Sequence, residues 1–118
     1  MKNISCMLSA IALLGIFSLP VTATTDDASM IEAGKKVSLN KTKGNCLACH
    51  MIVGGDMPGN IGPPLIAMKA RFPDLAKLRA QIADPREINP NSIMPPFGAH
   101  GILTDAEIDQ VAAYIHSL

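Results

Sequence analysis

Two cysteines and a histidine stand within five residues, Cys46-Leu47-Ala48-Cys49-His50. Spaced i and i+3 on a helical turn, the two thiols share one face, and the adjoining imidazole is held beside them. This C-x-x-C-H run is the attachment signature of c-type haem. Each thiol can add to one haem vinyl group, and His50 then lies beneath the iron. Two other readings use the same residues. One is a redox-active or structural disulfide between Cys46 and Cys49, although the βαβ pattern that accompanies thioredoxin-like sites is missing. The other is zinc, which takes four ligands; His50, His100 and His116 are widely scattered along the chain.

A sixth iron ligand has to come from elsewhere. Met94, in Met94-Pro95-Pro96-Phe97-Gly98, is the first candidate, because the prolines keep the backbone extended around it. A thioether opposite imidazole raises the reduction potential, as electron transfer requires. Met57 is the main rival, followed by Met51, Met68 and His100. In Gly62-Pro63-Pro64-Leu65, the Pro63 carbonyl is a candidate acceptor for the second N–H of His50, a bond that fixes the ring and raises its basicity. Met as a core filler, a plain turn at Gly62–Leu65, and His116 at a helix end are the ordinary alternatives. The basic cluster Lys35, Lys36, Lys41 and Lys43 reads as solvated surface, with a docking patch for an acidic partner as the sharper alternative.

The elements that must position these residues follow from the pattern of apolar side chains. Met30, Ala33 and Val37 suggest a first amphipathic helix from Ser29 to about Asn40, after a frayed start at Thr24–Ala28. The stretch 41–45 is a polar break. Residues 54–64 are rich in Gly and Pro and read as irregular. A brief helix is expected at Leu65–Ala70. A further one is expected at Pro73–Ala83, with Leu75, Leu78 and Ile82 on one face and Asp84-Pro85 ending it. Ile88–Gly101 is a second irregular stretch. Thr104 and Glu107 form a capping box, Leu103 and Ile108 a hydrophobic staple, and Ile108, Val111, Ala112 and Ile115 an apolar stripe. No strand pattern or repeat is visible. Two long loops in so small a chain are there to wrap something. Ile52, Val53, Ile61, Pro64, Pro95, Pro96 and Phe97 within them suggest an apolar patch at the edge of whatever they wrap.

The first 23 residues read as a cleaved signal peptide. Lys2 supplies a positive start, and the apolar run Met7–Leu19 is shorter than the roughly 20 residues of a bilayer span. Val21-Thr22-Ala23 suits a signal peptidase. The domain is then 24–118, 95 residues (118 − 23), with Phe72, Phe97 and Tyr114 as its aromatics and no Trp. So small a chain gains from an added apolar body in its core. The whole chain has a formal charge of +0, and loss of Lys2 leaves −1. Such a balance gives no reason to expect nucleic acid or an anionic membrane as partner. Export implies an oxidising compartment, yet Cys46 and Cys49 alone survive cleavage.

Taken together, Cys46–His50, Gly62-Pro63-x-Leu65, Met94–Gly98 and the C-terminal amphipathic helix resemble a class I cytochrome c over nearly all of residues 24–118. That resemblance implies an all-α fold of three to four helices and long loops around one covalent haem c. Cys46 and Cys49 would form the thioethers, His50 and Met94 the axial ligands, and Leu65 would pack on the haem. The finer pattern is Gly44–His50 with Gly59–Leu65, and Asn91–Gly98 before Leu103-Thr104. It closely resembles the SoxX family, the monohaem subunits of SoxXA cytochromes. It implies a periplasmic heterodimer with a SoxA-type cytochrome that joins thiosulfate to a cysteine of the SoxYZ carrier. The SoxX-like chain would pass electrons to a downstream acceptor and do no substrate chemistry of its own. A free monohaem shuttle and a haem-free thiol–disulfide protein are the alternatives.

Overall fold

The structure is a computed structural model that describes residues 24–118. The expected signal peptide and its cleavage site lie outside the described residues. Four α-helices and two short 3₁₀ turns follow one another: α1 (Thr24–Leu39), a turn at Cys46–Ala48, α2 (Met68–Arg71), α3 (Leu75–Ala83), a turn at Pro85–Glu87, and α4 (Asp105–His116). No strand occurs among the described residues. The fold is all-α, as the pattern of apolar residues implied, and no helix of the described residues is long and apolar enough to cross a membrane.

The first and last helices form the frame. α1 packs chiefly against α4, and Gly34 is the reason that they can meet. A Cβ on Gly34 would lie 1.9 Å from the Gln110 carbonyl oxygen and 2.9 Å from Tyr114 Cβ. Only a hydrogen there lets the two backbones approach so closely. α4 begins with the expected capping box, Thr104 and Glu107 each closing on the other's backbone. Its staple is in place as well, with Leu103 and Ile108 both buried. Ile108, Val111, Ala112, Tyr114 and Ile115 carry the buried face of α4, and Leu78 and Ile82 of α3, Met68 of α2 and, from the connecting segments, Ile52, Leu65, Phe97 and Leu103 complete the core.

Several expectations need correction. α1 starts at Thr24 rather than Ser29, with Asp26 and Asp27 in its first turn, where carboxylates favour the positive end of the helix dipole. The brief helix after the Gly/Pro loop begins at Met68, and Leu65 stays outside it in irregular chain. α3 begins at Leu75, because the Asp74 carboxylate caps it by accepting from the Ala76 N–H. Leu75 is exposed and does not share the buried face of Leu78 and Ile82. His116 does not serve its own helix end; its Nε2 lies 3.0 Å from the Phe72 carbonyl oxygen, joining α4 to the residue that follows α2.

Candidate functional site

Asn45 sets up the cysteine turn. It holds a left-handed conformation, φ 47°, which Asn tolerates better than most residues, and its carbonyl accepts from the Ala48 N–H. The next three residues make a tight turn, closed by Cys49 N–H and His50 N–H, which both donate to the Cys46 carbonyl. Cys46 and Cys49 are free thiols, both half-buried. Among the described residues no three His, Cys, Asp or Glu side chains gather closely enough to hold a metal ion, so the zinc reading has no ligand set.

The Gly/Pro-rich loop then folds back as a strap along this turn. Gly59 N–H donates to the Leu47 carbonyl (2.7 Å), Gly62 N–H to that of Cys49 (2.8 Å), and Leu65 N–H to that of Met51 (2.9 Å). The absent side chains make this fit possible. A Cβ on Gly59 would lie 2.1 Å from the Ala48 carbonyl oxygen, and one on Gly62 would lie 2.4–2.9 Å from three atoms of the His50 ring. The strap brings the Pro63 carbonyl oxygen to 2.8 Å from His50 Nδ1. A carbonyl can only accept, so Nδ1 carries the proton and donates, and the lone pair of Nε2 is left for a metal. Arg71 braces the same strap by donating to the Pro64 carbonyl (2.6 Å).

These residues open onto one cavity of about 890 Å³. Cys46, Cys49, His50, Pro63, Leu65 and Met94 all line it. Leu65, Met68, Leu78, Ile82, Phe97, Val111 and Ile115 give it apolar walls, while Asn89, Asn91, Ser92 and Arg71 are among its polar lining. The rival ligands separate cleanly. Met57 is 91% exposed, and neither it nor Met51 or His100 lines the cavity. Met68 lines it but is fully buried core, with its sulfur 3.5 Å from the Arg71 guanidinium. Met94 is partly buried, packed against the core and turned to the cavity. The expected apolar patch divides as well: Ile52, Pro96 and Phe97 are buried, whereas Val53, Ile61, Pro64 and Pro95 are exposed.

A cavity with two thiols three residues apart, an imidazole with Nε2 free, a thioether and apolar walls has the donor set that a covalently held haem needs. Residues 31–118 match the cytochrome c family. The chain belongs to that family. Its fold and its monohaem electron-transfer class follow from this membership, as does covalent attachment of haem c through the C-x-x-C-H run. The chain is also 41% identical, over 78 residues, to a protein of Aquifex aeolicus (strain VF5) described as an uncharacterized lipoprotein. That match takes in 63% of this chain and 36% of the relative, so the chain spans about a third of the length of the curated relative that it matches.

Arg71 is a site residue that the sequence did not single out, and Gly59 and Gly62 entered it only within motif runs, with no duty of their own. The glycines were visible as members of a Gly/Pro-rich stretch and of the runs that open at Gly59 and Gly62. Their separate duties depend on which neighbour each one meets, and that is a property of the folded loop.

Proposed function

We propose that this cytochrome is the electron-transfer subunit of a SoxXA-type complex, exported to the periplasm, with thioethers at Cys46 and Cys49 and axial ligation by His50 and Met94. The observation that carries the haem assignment is the meeting of all four side chains at one cavity. Haem, when bound, supplies an iron that takes up and releases one electron. The chain's own residues set the terms. The Pro63 carbonyl holds the His50 ring and makes Nε2 more basic. The Met94 thioether, as a ligand, would favour the ferrous state and so raise the potential. The apolar walls, Leu65, Phe97, Val111 and Ile115 among them, would limit the access of water to a bound haem.

The assignment to a SoxXA-type complex rests on the resemblance of Gly44–His50, Gly59–Leu65 and Asn91–Gly98. Ile61 and Ile93 line the cavity yet are 63% and 81% exposed, which suits a surface that a partner covers. Phe97 is core, so a charge there would test packing rather than docking. Co-expression with a SoxA-type cytochrome should yield a heterodimer on size-exclusion chromatography, and the pair should oxidise thiosulfate when SoxYZ is present. Ile93→Asp should weaken the pair about tenfold or more, as expected for loss of an apolar anchor, with the visible spectrum unchanged. Separate monomers with fast electron exchange to unrelated acceptors would instead establish a free shuttle. Mass spectrometry of the Cys46→Ala/Cys49→Ala chain tests the deeper claim, because it should carry no covalent haem.

A further inference from the structure

α2 is a single turn of four residues, well short of the roughly 12 that an isolated helix needs in water. It also begins badly. Ala67 at its N-cap has φ 50° and offers no side-chain cap, and that left-handed conformation is costly for a residue with a Cβ. The turn is therefore held from outside, and the same neighbour holds both of its ends. At the front, Met68 N–H donates to the main-chain oxygen of Leu118 (2.9 Å). At the back, His116 Nε2 lies 3.0 Å from the Phe72 carbonyl oxygen. A carbonyl only accepts, so Nε2 carries a proton and donates. Phe72 N–H in turn donates to the Met68 carbonyl (2.7 Å), which closes the turn between the two ties. The Met68 side chain is buried in the core.

From this turn Arg71 reaches the strap. Its Nη1 donates to the Pro64 carbonyl (2.6 Å) and stands 3.5 Å from the Met68 sulfur. Pro64 directly follows Pro63, whose carbonyl oxygen lies 2.8 Å from His50 Nδ1. Each proline ring fixes its own φ, so the two neighbouring carbonyls cannot be aimed independently. A shift of α2 is thus passed to Pro64, and from there to the carbonyl that holds the imidazole. We propose that His116 is a positioning residue for His50: by fixing the back of α2 it fixes Arg71, and through Arg71 and Pro64 it fixes the Pro63 carbonyl that accepts from Nδ1. It acts from the far end of the chain and touches neither the cavity nor the ring. The inference rests on the reading of His50 as an iron ligand and deepens it. The Nδ1 bond makes the ring more basic, which favours the ferric state, so slackening that bond raises the potential.

The test compares His116→Phe, which keeps a ring but donates nothing, with His116→Gln, whose amide can donate to the same carbonyl. Both are made in the full-length holoprotein. Exchange of the His50 Nδ1 proton with solvent, followed by NMR in the ferrous state, reads the Pro63 bond directly. His116→Phe should speed that exchange about tenfold or more, as local opening of a bond does, and should shift the potential upward. That is the opposite direction to loss of the Met94 thioether. His116→Gln should restore both measurements. Should His116→Phe fail to accumulate, His116→Leu is read in the same way. A lower Tm with exchange and potential unchanged would show that His116 only stabilises the fold, and would overturn the proposal. Arg71→Met should itself speed the exchange, and adding His116→Phe to it should then change the rate by less than about twofold, because the two act in series. Full addition of the two effects would mean that the tie does not run through Arg71, and would also overturn it. Mass spectrometry that finds both thiols free in the native chain would overturn the haem reading and this inference together. Two intact thioethers with an indifferent Nδ1 proton would overturn this inference alone.

Discussion

The two sides of the cavity are built differently. On the His50 side, backbone bonds from Gly59, Gly62 and Leu65 and the His50–Pro63 bond tie the strap to the cysteine turn, and two glycines remove the side chains that would force them apart. On the Met94 side, the loop is fixed mainly at its ends. At its start Asn89 N–H donates to the Pro85 carbonyl and Ser92 N–H to that of Asn89; at its end Gly98 and Ala99 N–H reach back to the Ala83 carbonyl, and the Phe97 carbonyl receives Ile102 and Leu103 N–H. Between these anchors Met94 N–H has the Ser92 hydroxyl at 3.3 Å, and Pro95 and Pro96 have no N–H to give. One ligand is thus fixed by many short-range bonds, whereas the other is delivered by a stiff but lightly tethered segment. The His side should tolerate almost no change, and the Met side should change the electronics of the site before it disturbs the fold.

Gly62→Ala is the hardest blow to that contrast. The new methyl meets three atoms of the imidazole ring, and overpacking of this kind should cost about 3 kcal/mol. The holoprotein should accumulate poorly and show a displaced His50, read from thermal melts and the visible spectrum. If Gly62→Ala is as stable as the parent with an unchanged spectrum, the strap is not what fixes the imidazole. Met94→Ala should act the other way round. It should cost less, about 1–2 kcal/mol for a partly buried side chain against 2–5 for a fully buried one. It should abolish the ferric sulfur-to-iron charge-transfer band and lower the potential. Met57→Ala should leave all three measurements as they were; the reverse pattern would move the sixth ligand to Met57.

The smallest effect concerns the far edge of the His side, where Lys43 contacts Glu107 of the α4 capping box. The Lys43 ammonium beside it, and then the Thr104 N–H, hold the Glu107 carboxyl below its ordinary pKa. A depressed carboxylate contributes stability above its unfolded pKa and loses it as pH falls through the lower, folded value. Lys43→Ala should therefore raise the Glu107 pKa towards the ordinary range in an NMR titration. It should slightly reduce the stability at neutral pH, with no change in the iron ligands. An unmoved Glu107 pKa would mean that the cap acts alone.

What the sequence made legible was mostly local. The cysteine turn, the Thr104–Glu107 box, the Leu103–Ile108 staple and the α4 stripe depend on residues a few positions apart, and they stand where their spacing put them. Leu78 and Ile82 were correctly read as a buried face, but Leu75 was not, because periodicity cannot say where a helix begins relative to its neighbours. The Asp74 cap moved that start. The α1 start was misjudged because its first turn is polar, and the apolar period begins only at Met30. His116 was misread since its partner, Phe72, is far away in sequence. Phe97 sat in a loop and yet is core, since the loop wraps inward around the cavity.

The close crossing at Gly34 joins the first described helix to the last, and this has a consequence for the order of events as the chain is made. Synthesis proceeds from the N-terminus, so Cys46–His50 emerge well before Val111 and Ile115, which close the opposite wall of the cavity. Until α4 arrives, α1 has no partner at Gly34 and the cavity is open along one side. The thiols precede α4 in the chain, so they stay reachable until α4 docks at Gly34 and adds its wall to the cavity.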